Sequence, residues 1–293
     1  MIRADADHKD GDSAAGHDCL FSVIVAVLNG QKTLPRCIAS VFKQTYPHKE
    51  LIVIDGGSTD DTLDILQTNS ARIAYWESEP DRGIYHAWNK ALARAGGRWI
   101  CFLGADDYLW HEGVLAAAAE QLAAVPDHIS VAYGQVAIVD EKGAVLQVAG
   151  RPWEKVKREF RQQMSIPHQA IFHRRDLFAA HGRFDESFRV AGDYEFLLRE
   201  LKAADACFLS DLVVAGMQRG GLSNTRENFV QNLREFARAR RKNKIRVFPG
   251  RWAWSYAKAW MHLGLIRFFG DKGSRLIADC YRKLTGQPPY WTR

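Results

Sequence analysis

The sequence is poor in the features that would tie a small fold together covalently. Five cysteines, Cys19, Cys37, Cys101, Cys207 and Cys280, are scattered over 293 residues without a CxxC pair. That pattern supplies neither a zinc site nor a disulfide framework, and it suits a reducing compartment. There is no uncharged apolar run of about 18 residues, so no membrane span is expected. Residues 1–18 lack the apolar core of a signal peptide. They are rich in Asp, His, Gly and Ala, with histidines too sparse for a metal site, and residues 1–19 are read as a disordered leader. Neither GxGxxG nor GxxxxGK[ST] occurs, which removes support for a dinucleotide fold or a P-loop. Internal repeats and a Ser-His-Asp pattern are missing as well.

What is present is an ordinary globular composition with an uneven charge. About half of the residues are apolar and a quarter charged, at a net charge of +6 and a pI near 9.1. A basic balance favours an anionic partner. The excess sits in the last stretch: Arg241 to Arg293 holds twelve Lys and Arg against only Asp271 and Asp279.

Strand and helix patterns alternate through the first third. Leu20 to Leu28 is a β-branched run ending in Asn29-Gly30, and Thr33 to Gln44 has helical spacing at Leu34, Ile38, Val41 and Phe42. Glu50 to Asp55 is a second buried strand, closed by Gly56-Gly57-Ser58 and followed by a helix capped at Thr59 or Asp60. Arg72 to Trp76 is a weaker strand, Gly83 to Ala95 a helix, and Trp99 to Leu103 another buried strand. Such alternation is the signature of a doubly wound α/β sheet, mostly parallel, with helices on both faces. Further on come an Ala-rich helix (Val114 to Ala124) and a hairpin around Asp140 to Gly143. Trp153 to Met164 reads as a loop or short helix, His168 to His173 as a strand, Tyr194 to Ala203 as a helix and Cys207 to Met217 as a strand.

Two adjacent carboxylates, Asp106 and Asp107, follow the Trp99 strand. Side by side they repel, apolar neighbours make their ionisation costlier, and a hard divalent cation such as Mn²⁺ or Mg²⁺ would relieve both. Ligands of open α/β sheets sit outside the carboxyl ends of the strands, where this pair lies. The same pair would also suit a solvated turn that caps a helix near His111.

The segments FSVIVAVLNG, ELIVIDGGSTDDT and EPDRGIYHAWNKALARAGGRWICFLGADD occur in that order. Together they resemble family 2 glycosyltransferases of the GT-A fold, of the bacterial O-antigen and exopolysaccharide type, over about Phe21 to Arg199. The resemblance implies that Ala26, Leu28, Asn29 and Asp55 surround the nucleotide base, with Leu28 where a stacking aromatic is common. It implies a donor-side loop at Asp81-Arg82-Gly83, with Asn89-Lys90 on the next helix and His86 where an Asp is frequent. The metal motif falls on Asp106 and Asp107, its first carboxylate replaced by Gly104 or Ala105, and Asp106 is also a candidate ribose contact. Pro167-His168-Gln169 resembles a segment that approaches the donor phosphates or the metal, with His168 the candidate contact. Asp193, opening the Tyr194 helix, resembles the catalytic base of the acceptor motif; an Asp there is also an ordinary N-cap. Glu195, two residues on, faces elsewhere on a helix.

These residue types match the chemistry of sugar transfer. A leaving diphosphate needs its charge stabilised, and an acceptor hydroxyl needs a general base. The expectation is an inverting, cation-dependent transferase that moves a hexose or N-acetylhexosamine from a UDP-sugar to a lipid-linked saccharide. The expected organisation is a leader (1–19), a nucleotide-sugar half (20–110), an acceptor half (111–220) and a basic, aromatic-rich helical region (221–293). Within the last, Arg251 to Phe269 mixes aromatics with Lys258, His262 and Arg267, which suits an anionic membrane surface at the cytoplasmic face. Packing on the catalytic domain is the alternative. The run Arg238 to Lys244 lacks any nucleic-acid-binding module around it, so no nucleic acid is expected. Two other functions use similar parts: a sugar nucleotidyltransferase, which should carry a basic Gly-rich triphosphate loop, and a non-catalytic nucleotide- or glycan-binding protein.

Overall fold

The computed structural model describes residues 2–5, 20–140, 142–218 and 226–246, with five single positions between 273 and 283. The strands are β1 (Ile2–Asp5), β2 (Phe21–Val27), β3 (Lys49–Asp55), β4 (Tyr75–Ser78), β5 (Trp99–Gly104), β6 (Tyr108–Leu109), β7 (Val131–Val139), β8 (Val145–Ala149), β9 (Ile171–Arg174) and β10 (Cys207–Gln218). The helices are α1 (Leu34–Phe42), α2 (Thr62–Thr68), α3 (Ile84–Leu92), α4 (Val114–Ala123), α5 (Trp153–Phe160), α6 (Arg175–His181), α7 (Gly192–Leu201) and α8 (Arg226–Lys242).

All ten strands belong to one sheet in the order β1-β4-β3-β2-β5-β9-β7-β10-β6, with β8 beside β7. Strands β4, β3, β2 and β5 run parallel. Strand β9 is antiparallel to both β5 and β7, so β7 and its parallel partner β10 point the same way as β5. Alternation along the central strands feeds two cores. Val23, Val25, Cys101 and Leu103 face α1 and α4, while Ile24, Ile52, Ile100 and Phe102 face α3, α5 and α7. A parallel strand covered on both faces has to be apolar throughout, which is why these runs read as continuous rather than alternating. Phe102 shows how tight the second layer is: its ring lies 4.6 Å from Trp88 and 5.4 Å from both His173 and Phe184. Truncating such a ring to alanine typically costs about 3–5 kcal/mol.

The parallel direction brings the ends of β2, β3, β4 and β5 to one edge, so Leu28, Asp55, Asp81 and Asp106-Asp107 share it. Two local expectations need correcting, at Ile2–Asp5 and at His168 to His173. Ile2–Asp5, placed in a disordered leader, pairs antiparallel with β4 from Ile2 opposite Ser78 to Asp5 opposite Tyr75. Four residues of mixed polarity carry no strand signal, and the exposed edge of β4 supplies the template; residues 6–19 lie outside the described ones. The sheet is continuous across residues 110 and 111, with β6 paired to β10 at Leu109 and Ala215. His168 to His173 is one 3₁₀ turn, His168–Ala170, before the short β9. Helix α8 packs on α7.

Candidate active site

The turn after β5 brings its two aspartates together over a glycine. A Cβ built on Gly104 would lie 2.7 Å from Asp106 Oδ1 and 2.7 Å from Asp107 Oδ2, so the two oxygens converge on the space a side chain would fill. Arg36 steadies the turn by donating to the Asp106 carbonyl at 2.8 Å while lying over the Tyr108 ring at 4.3 Å. Asp107 is buried, and its Oδ2 accepts from Gly104 N–H at 3.2 Å. Burial, then the charge of Asp106, pushes the Asp107 carboxyl up to about 7; bonds from Gly104, the Gln169 side chain and the Gln218 backbone oppose the rise. Two hard oxygens aimed at one small volume, one of them on a carboxyl whose charge is costly, fit a divalent cation. No cluster of three or more His, Cys, Asp or Glu gathers for a metal among the described residues, so phosphate oxygens and water would complete its shell.

At the ends of β2 to β4 lies a second corner. Ala26 is half-buried at the end of β2, and Leu28 is 63% exposed. A Cβ on Gly56 would sit 3.2 Å from Asp81 Oδ2 and 3.6 Å from Leu28 Cδ1, so these side chains close on one another. Asp81 is held from behind: its Oδ1 lies 2.9 Å from His86 Nδ1 and 3.0 Å from Lys90 Nζ. Lys90 also reaches Glu77 at 3.0 Å and Glu79 at 3.2 Å. Burial works against the Lys90 charge, but the three carboxylates outweigh it and raise its pKa. His86, where the family often has an acid, is thus a partner of Asp81.

Asp55 occupies the expected strand end, fully buried, with its oxygens engaged by its own loop. Oδ2 accepts from Gly57 N–H at 3.2 Å, Ser58 N–H at 3.0 Å and Ser78 Oγ at 2.6 Å, and Oδ1 from Ser58 Oγ. Asn29, at a φ of 52° that Asn tolerates better than most residues, buckles the neighbouring loop. Its Oδ1 accepts from Thr59 N–H at 2.9 Å.

Two expected contacts fall elsewhere. Asn89 is buried, and its amide donates to the Phe184 carbonyl and to Glu186 Oε1, each at 3.0 Å, while accepting from Phe184 N–H at 3.0 Å. With both N–H groups used inside the protein, it clamps the loop that also holds Arg82 through Glu186 at 2.6 Å. His168 turns inward and stacks on Trp88 at 5.0 Å, its Nε2 buried without a hydrogen bond. Burial pushes its pKa down to about 3, so the ring is neutral. Its neighbour Gln169 is the residue of that segment whose side chain bonds Asp107. Consecutive residues of a 3₁₀ turn point in different directions, and the spacing alone did not say which faces the carboxylates.

Asp193 opens α7. Its Oδ1 accepts from Tyr194 N–H at 2.8 Å and from the Tyr85 hydroxyl at 3.3 Å. Burial pushes its carboxyl up to about 6 against the lowering effect of these bonds. Tyr85 was not singled out as a site residue in the sequence, since its contact with Asp193 spans 108 positions of the chain; Lys90 and Gln169 lie in the segments that the resemblance marked, beside Asn89 and His168.

The description "Glycosyl transferase family 2" matches residues 22–179. The chain belongs to this family. A Mycobacterium tuberculosis protein, "PGL/p-HBAD biosynthesis glycosyltransferase", is 34% identical over 213 residues, 70% of this chain and 80% of the relative. An Escherichia coli UDP-Glc:alpha-D-GlcNAc-diphosphoundecaprenol beta-1,3-glucosyltransferase is 35% identical over 129 residues, 44% of this chain and half of that protein. Among solved structures, a Pyrobaculum calidifontis mannosyltransferase in complex with GDP-Man and Mn²⁺ superposes with a TM-score of 0.59 at 20% identity, covering 92% of this chain and 76% of that one. That likeness shows the GT-A fold. This glycosyltransferase therefore keeps the fold expected of its sequence, and the enzyme's carboxylates lie at the strand ends and at the start of α7.

Proposed function

We propose that this glycosyltransferase moves a hexose or N-acetylhexosamine from a UDP-sugar, with inversion and with a divalent cation, to a hydroxyl of a lipid-linked or growing saccharide in polysaccharide or glycolipid synthesis. The observation that carries the reading is Asp193: a carboxylate at about 6, one oxygen held by Tyr85 and the Tyr194 N–H, at the head of the acceptor helix. A base is most effective when its pKa lies near the working pH. In the transfer step the acceptor oxygen gives its proton to Asp193 and bonds the anomeric carbon as the bond to the diphosphate breaks. One displacement inverts that carbon. Asp106 and Asp107 would hold Mn²⁺ or Mg²⁺, which stabilises the charge of the departing diphosphate when bound. Leu28, Gly56 and Asp81 form the corner for the nucleobase, and Arg82 lies beside it for the donor phosphates.

The E. coli relative's donor and diphosphoundecaprenol-linked acceptor support the substrate classes, and the M. tuberculosis relative's name, a glycosyltransferase of PGL/p-HBAD biosynthesis, supports a biosynthetic role. Among the described residues no helix is long and apolar enough to cross a membrane. Residues 251–269, which carry the expectation of a peripheral attachment at the inner membrane face, lie outside the described ones. A thermal-shift screen of nucleotide sugars with and without Mn²⁺, followed by transfer assays on Asp193→Asn, tests the proposal. The expected outcome is a UDP-sugar shift enlarged by Mn²⁺ and a rate about 10² to 10⁴ lower in the variant. A variant as active as the native enzyme removes Asp193 from the base's role.

A further inference from the structure

Helix α7 begins without a capping side chain of its own: Ala191 stands at the N-cap. A helix start leaves several backbone N–H groups without partners, and a carboxylate is a strong acceptor for them. Here the carboxylate comes from α8, beyond the residues 22–179 of the family match. Glu235 is buried, and its Oε2 accepts from Val190 N–H at 2.8 Å and Ala191 N–H at 2.9 Å. The Arg189 N–H is shared between Oε1 at 3.0 Å and Oε2 at 3.2 Å. Gln231, one turn earlier on α8, donates to Oε1 at 2.8 Å. Burial raises the Glu235 pKa, but the bonds from Ala191, Val190 and Arg189 outweigh it and hold the group below its ordinary value, an anion at neutral pH.

Three consecutive peptide groups gathered on one carboxylate fix the backbone immediately before Gly192 and Asp193. The same loop is tied down on its other side. Arg238 bonds the Ser187 carbonyl at 3.1 Å, and Lys242 reaches Asp185 at 2.8 Å. Glu195 does not share this task, because its carboxylate pairs with Arg199 at 2.5 Å and Lys242 at 3.1 Å. Among the described residues, Tyr85 from α3 bonds Asp193 and Glu235 from α8 acts on it through its charge.

We infer that Glu235 is a positioning residue for sugar transfer: from α8 it sets where Asp193 stands and keeps a negative charge within electrostatic reach of it. The inference rests on Asp193 being the general base. Burial is the main cause of the raised Asp193 pKa, and the Glu235 charge adds to it. A neutral glutamine at 235 keeps the size, turns an N–H₂ toward backbone donors and removes that charge. Displacing a catalytic group by about 1 Å can cost on the order of 10²-fold in rate.

The test uses the full chain and UDP released from UDP-glucose, or from whichever UDP-hexose the donor screen selects, with water as acceptor. Glu235→Gln, Glu235→Asp and Asp193→Asn are compared for kcat, donor KM, the pH dependence of kcat/KM and Tm. For Glu235→Gln the expected result is a kcat lower by about 10- to 100-fold, a donor KM close to native, and an acid limb moved to lower pH. Glu235→Asp keeps the charge with a shorter reach, so its kcat falls while its acid limb stays in place; it carries the test if the glutamine variant does not fold. A native kcat and acid limb in Glu235→Gln, or a loss that follows Tm with no movement of the limb, overturns the inference. So does a native kcat in Glu235→Asp when the glutamine variant is unfolded. A native rate in Asp193→Asn is a different failure, of the base assignment itself, and takes this inference with it.

Discussion

The hydroxyl of Tyr85 accepts the Gly192 N–H at 2.7 Å and donates to Asp193 Oδ1 at 3.3 Å. A residue on α3, beside the donor corner, thereby grips both the start of the acceptor helix and its carboxylate. The contact needs a glycine, because a Cβ on Gly192 would stand 2.7 to 2.9 Å from the Tyr85 ring. Tyr85 is itself buried and packs on Trp88 and Phe184, so its ring has little freedom to leave.

Replacing Tyr85 by Phe removes a donor that favours the charged form of Asp193. The carboxyl then becomes harder to ionise, and the acid limb of kcat/KM is expected to move to higher pH than in the native enzyme. That shift is opposite in sign to the one expected of Glu235→Gln. A pH profile of Tyr85→Phe that overlays the native one would detach Tyr85 from the base.

Asp193 also predicts a pH-dependent stability. Its folded pKa, about 6, lies above the ordinary 3.8, so folding favours the protonated form. Below the ordinary value the group is protonated in both states, and its relative contribution to stability is lost as pH rises toward and through 6. Asp193→Asn, which never ionises, should therefore gain on the native protein between pH 4 and 7.5, by on the order of 2 kcal/mol. Thermal melts of both proteins at the two pH values measure it, and parallel curves would show that the carboxyl is not held out of water.

Gly104 tests the paired aspartates without touching their charge. An alanine methyl would meet Asp106 Oδ1 and Asp107 Oδ2 at 2.7 Å each and push the two oxygens apart. We expect Gly104→Ala to fold and to lose most of the Mn²⁺-dependent gain in UDP affinity. Calorimetry with Mn²⁺ and with a chelator reads that gain directly, and an undiminished gain would place the cation elsewhere.

The basic C-terminal stretch is expected to hold the enzyme on anionic lipid. Each Lys or Arg near such a surface contributes about 1 kcal/mol, and salt screens part of it. Full-length protein should co-sediment with anionic vesicles at low salt, less so at high salt, and little with neutral ones. A chain truncated after 250 should stay in solution with UDP binding intact; if both proteins ignore the vesicles, the stretch has no lipid role.

The Arg238 to Lys244 run shows how a charge pattern changes meaning in the fold. In the sequence it is a bare basic cluster. In the structure Arg238 and Lys242 are paired with Asp185 in the loop before α7, Lys242 also with Glu195 on α7, and Arg240 bonds the Gln162 carbonyl after α5, so much of the excess ties α8 into the fold.

Local pattern was enough for the α/β class and for the central strands, because each depends on neighbours within a few residues: an apolar run and the turn after it. Asp106, Asp107 and Asp193 stood out through the family resemblance, and their roles belong to the proposal. The direction in which side chains leave a turn was not legible, and so His168 turned inward while Gln169 met Asp107. Nor was the occupancy of a polar group, since the bonds of Asn89 and Asp55 go to loops known only once folded. Tyr85 and Glu235 lie 108 and 42 positions from Asp193 in the chain, and their roles exist only where α3, α7 and α8 meet. Chain order sets which residues can form an element; which carboxylate is gripped, buried or paired is decided by elements far apart in sequence packing against one another.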